Sequence, residues 1–79
     1  MIIVKYGSDG MKSVINEDAD RAAFSRLYQR KKKEAEEDED MYVSWLDPYT
    51  FEVTNDRWAA GYIFKLRPAD WPRKDGEPL

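Results

Sequence analysis

The sequence predicts an α+β fold, an antiparallel sheet of about five strands carrying one helix on one face in the order β-β-α-β-β-β, with an irregular Pro-containing tail. Three observations lead there. Two short segments that alternate apolar and polar residues flank a Gly-rich turn; one stripe of apolar residues then recurs at spacings of three and four; three more alternating segments follow, separated by turn residues.

Residues 2–6 read as the first strand, with Ile2, Val4 and Tyr6 on one face and Ile3 and Lys5 on the other. Gly7, Ser8, Asp9 and Gly10 form a strong turn signal, because glycine tolerates the positive φ that tight hairpins need. An even-length loop returns the chain through residues 11–15, sets Ile3 opposite Val14 and Lys5 opposite Lys12, and gathers Met11 and Ile15 with Ile2, Val4 and Tyr6. Asn16 is a good helix N-cap, and Glu17, Asp18 and Asp20 suit the positive end of a helix dipole. Ala19, Ala23, Phe24, Leu27 and Tyr28 then make one amphipathic stripe, so a helix is expected over residues 17–36.

Residues 41–46 alternate again, and the turn at Asp47, Pro48 and Tyr49 leads to a strand marked by Phe51 and Val53. An odd-length turn, pairing Trp45 with Val53, gathers Val43, Trp45, Phe51 and Val53 on one face. Asn55 and Asp56 suit a two-residue hairpin that pairs Val53 with Trp58 and Phe51 with Ala60. The last strand runs over residues 57–66, with Trp58, Ala60, Tyr62, Phe64 and Leu66 sharing a face. Residues 1–66 are thus expected to form one domain. Residues 67–79 form a tail whose prolines exclude regular helix and central strand.

Composition narrows the chemistry. The 79 residues contain no Cys and no His, which removes disulfides, thiolate nucleophiles, the usual zinc sites and imidazole acid–base catalysis. Neither a nucleophile elbow nor a phosphate-cradling loop is present, so neither an enzyme nor a cofactor is expected. Asp47, Glu52 and Asp56 are the acids that could meet across a cleft, but acids are common on turns. Apolar runs are only a few residues long and the first residues lack a signal-peptide pattern; the expected address is the cytoplasm, without membrane insertion.

The most unusual stretch is residues 30–40. Four cations (Arg30, Lys31, Lys32, Lys33) precede six acids, Glu34, Glu36, Glu37, Asp38, Glu39 and Asp40. A solvated helix end laced by pairs four apart, such as Arg30 with Glu34, accounts for part of this. Clustered carboxylates also suit a partner with a basic or nucleic-acid-binding surface. Trp71 can plug the core or anchor a partner. These features favour a small protein-binding module, an inhibitor or modulator of a host protein or complex. Its scale and charge match the anti-defence proteins of phages and mobile elements, an analogy that involves no sequence likeness. The alternatives are a nucleic-acid accessory protein using Arg30, Lys31, Lys32 and Lys33 with Lys5 and Lys12, and an assembly subunit or homodimer pairing through a sheet edge. The net charge of −3 weighs against the first alternative.

Overall fold

A computed structural model describes residues 1–7, 10–56 and 60–70. Its elements are β1 (Ile2–Gly7), β2 (Lys12–Asn16), α1 (Arg21–Glu37), β3 (Met41–Asp47), β4 (Thr50–Asn55) and β5 (Ala60–Arg67). The five strands make one antiparallel sheet in the order β2-β1-β5-β4-β3. The α+β class and element order therefore agree with the sequence reading. The first and last strands, β1 and β5, pair near the centre and join the two hairpins into one layer.

The helix covers the face that carries Ile3, Val43, Phe51, Val53, Phe64 and Leu66, with Phe24 inserted from α1. Strand register explains the choice of face. Ile3 opposes Leu66, Phe64 opposes Phe51, and Val53 opposes Val43, so four strands contribute one continuous apolar surface. On the other face, Thr50, Glu52 and Thr54 make the β4 side polar. There the apolar residues concentrate on β1: Ile2, Val4 and Tyr6 are buried with Ile63 packed against them. Residues 2–4 are thus buried on both faces.

The first hairpin turns later than expected. Gly7 N–H donates to Met11 C=O at 2.7 Å, and Gly10 takes φ 84°, which a Cβ would strain. Tyr6 consequently faces Lys12, Lys5 faces Ser13 and Val4 faces Val14, with an irregularity between Ile3 and Val4. Lys5 is thus one residue off its expected partner Lys12, and Ile3, across the irregularity, pairs with Asn16, two residues off Val14. The one-residue shift changes the face, so Lys5 lies on the helix side and Lys12 on the other. The β4–β5 turn is longer than two residues, since Asn55 pairs with Ala60, Val53 with Tyr62 and Phe51 with Phe64. That shift is even, so the faces stay as expected. The β3–β4 hairpin pairs Asp47 with Thr50 across an even, two-residue turn where an odd one was expected. The register irregularity between Trp45 and Asp47 then pairs Trp45 with Phe51 rather than Val53, which keeps the expected face. Trp58 and Trp71 lie outside the described residues, as does the tail beyond residue 70.

The helix begins at Arg21, four residues after the sequence reading, and ends at Glu37. Asn16 instead closes the end of β2, where its Oδ1 accepts from Asp18 N–H at 3.0 Å. Ala19 N–H donates to Met1 C=O at 2.7 Å, which ties that segment to the residue before β1. Asp20 is the N-cap: its Oδ1 accepts from Ala23 N–H at 2.7 Å. Asp20→Ala should therefore cost about 1 kcal/mol and lower Tm by about 4–8 °C, while Asn16→Ala moves it less. Thermal unfolding followed by circular dichroism separates the two; an equal or larger shift for Asn16→Ala would contradict this cap assignment. Among the described residues no helix is long and apolar enough to cross a membrane.

Candidate functional site

With β1 and β5 central, β2 and β3 lie at the sheet edges. At the β3 edge the core aromatics run out to the surface. Phe51 is fully buried, and its ring lies 5.1 Å from Phe24, 5.4 Å from Tyr28 and 5.4 Å from Trp45. Tyr28 stacks on Trp45 at 4.5 Å and 25°. The strand's edge position leaves the outer side of the indole uncovered, at 38% exposure. Arg21 joins this corner to the β3–β4 turn. Its guanidinium lies 5.7 Å from the Trp45 ring and 5.1 Å from the Tyr49 ring, and donates to Pro48 C=O. Tyr42, Leu46 and Tyr49 stand exposed along the same edge, Tyr42 on the sheet face away from the helix, each more than half accessible. This aromatic corner escaped the sequence reading, which took Trp45 for a core residue; only the strand order reveals that β3 is an edge.

The acids expected to bind a partner lead directly into this strand. Glu34, Glu36 and Glu37 occupy the last turns of α1 and are exposed, while Ala35 between them packs on the core. Asp38 caps the helix, with its N–H donating to Ala35 C=O, and its Oδ1 accepts from Asp40 N–H at 3.0 Å. Met41 N–H donates to Asp38 C=O, and Asp56 N–H donates to Asp40 C=O at 2.9 Å. The acidic segment is therefore fixed to the start of β3. Three of its acids sit at the negative end of the helix dipole, with no cation in the last turn to compensate. A helix selected for stability alone would carry the opposite charge there. Among the described residues no three acids gather to hold a metal ion.

The basic residues do not form one patch with Lys5 and Lys12. Lys31 Nζ lies 3.3 Å from Glu34 Oε2 and 6.0 Å from the Phe64 ring, so it turns back toward the sheet. The pair spans three residues rather than the expected four. Lys5 Nζ lies 4.5 Å from the Tyr62 ring on the helix side, and Lys12 lies on the opposite face. Arg30, Lys32 and Lys33 are exposed on α1. Nor do the three acids of the hairpin region converge: Asp47 and Asp56 flank opposite ends of β4, about 20 Å of strand apart. Asp47 is engaged locally, its Oδ1 accepting from Tyr49 N–H at 2.8 Å.

A groove of about 270 Å³ between α1 and β2, lined by Ile3, Ile15, Ala23, Arg26 and Leu27, falls below the usual size of a small-molecule site. Comparison with family models, curated proteins and solved structures finds no match for this chain.

Proposed function

We propose that the chain is a protein-binding module, an inhibitor or modulator of a host protein or complex, acting through the rim that runs from residues 34–40 along β3 to Tyr49. It works by occupying a surface of its target and needs no catalysis. One observation carries this reading. Four of the large apolar side chains exposed among the described residues, Tyr42, Trp45, Leu46 and Tyr49, stand along one strand and its turn, directly after the acidic segment. Aromatic residues are favoured interface anchors, and a flanking field of one sign steers a partner of opposite sign. The partner this rim suits has a basic surface beside an apolar pocket, as nucleic-acid-binding proteins do.

Two variants test the proposal against a lysate of the host cell. Charge reversal to Lys at Glu36, Glu37 and Asp38 should weaken capture of the partner at least about tenfold, or 1.4 kcal/mol, and make the remainder less sensitive to salt. Tyr49→Ala removes an exposed ring at the other end of the rim and should weaken the same partner. If every captured protein stays bound to both variants, the rim is not the binding surface.

A further inference from the structure

We infer that β3 is self-complementary and that two copies of this chain pair through it, antiparallel about a two-fold axis at Ser44, joining their sheets into one. This concerns the edge itself and holds whether or not another protein binds the rim; where one does, the two compete.

The backbone sets the register. Asp56 N–H donates to Asp40 C=O across the Met41–Asn55 pair, which marks that pair as the non-hydrogen-bonded kind. Alternation then turns the N–H and C=O groups of Tyr42 and Ser44 toward β4 and those of Val43 and Trp45 outward. An axis at Ser44 brings Val43 of each copy opposite Trp45 of the other, so both outward residues exchange both of their hydrogen bonds. The half-covered Trp45 ring then meets Val43 of the second copy.

Charge agrees with this register. Residues 41–45, ahead of Asp47 and of the register irregularity between Trp45 and Asp47, carry no charge and no proline, two of the usual guards of an edge strand. The β2 edge has Lys12 within the strand; a register irregularity accompanies both edges. Beyond the paired residues, the acidic segment 38–40 of each copy runs toward the β3–β4 turn of the other, where that copy's Arg21 lies over the Tyr49 ring. Glu39 and Asp40 of each copy thus approach Arg21 of the other, twice, with Asp47 at the same end.

Single-cysteine cross-linking tests the pairing, since the chain has no cysteine of its own. Ser44 would face Ser44 of the second copy as a non-hydrogen-bonded pair with Cα atoms about 4.5 Å apart, within disulfide range. Under mild oxidation Ser44→Cys should form a covalent dimer, while Ser13→Cys, exposed on the β2 edge, should not. Sedimentation equilibrium of the unaltered chain should show a dimer that Arg21→Glu weakens at least about tenfold, or 1.4 kcal/mol. A chain that stays monomeric up to about 1 mM, or cross-linking at position 13 in place of 44, overturns the inference. Neither result bears on the charge-reversal test of partner binding, so the two readings can fail separately.

Discussion

Phe51→Ala should leave most of the population unfolded at 25 °C. Phe51 is fully buried, and the rings of Phe24, Tyr28, Trp45 and Phe64 all lie within 5.4 Å of its own. Its ring touches the helix, the edge strand and the central strand β5 together. Truncating a buried Phe costs about 3–5 kcal/mol through lost transfer energy and the cavity left behind. A domain of this size has about 3–5 kcal/mol of net stability to lose. Collapse around the gap is limited, because α1 is fixed at both ends: at Asp20 by its cap and at Asp38 by the bonds that tie residues 38–40 to β3. Urea unfolding followed by circular dichroism gives the answer directly. A cooperative transition with a midpoint near that of the unaltered chain would show that the helix is held by something other than this ring cluster. Tyr49→Ala, which removes an exposed ring, serves as the control and should shift the midpoint little.

The element order was legible in the sequence because hydrophobic period survives local error. The β4–β5 turn was misjudged by an even amount, and at β3–β4 the irregularity between Trp45 and Asp47 offsets the misjudged turn, so the same side chains face the helix. The first hairpin was misjudged by one, and there the faces of Lys12 and Val14 changed. Helix entry was misread because Asn16 and Asp20 are both good caps, and Asn16 was already engaged at the end of β2. What the sequence could not supply was strand order. Whether Trp45 is core or rim depends on β3 lying at the edge, and that follows from β1 pairing with β5 across nearly the whole chain. The acidic segment was visible as composition; its attachment to the aromatic corner became visible only with the backbone bonds of residues 38–41.

Val4→Lys should be as damaging as Phe51→Ala, although Val4 points away from the helix. A sheet with one helix would ordinarily leave its second face to water, and a lysine in the middle of that face would be harmless. Here Val4 is only 1% exposed, between Ile2 and Tyr6 on its own strand. Lys65 stands directly opposite, with its ammonium 5.2 Å from the Tyr6 ring. The substitution forfeits about 1.5–3 kcal/mol of apolar burial, opposes two like charges across a strand pair, and places an ammonium where desolvation costs several kcal/mol. The sum exceeds what so small a domain can lose. Tyr42→Lys puts the same side chain on the same face at the exposed edge, where it should cost no more than about 1 kcal/mol. The pair distinguishes a two-sided core around β1 from a one-sided one: if Val4→Lys unfolds at the same urea concentration as Tyr42→Lys, the second face is wet and the centre of this sheet is held from the helix side alone.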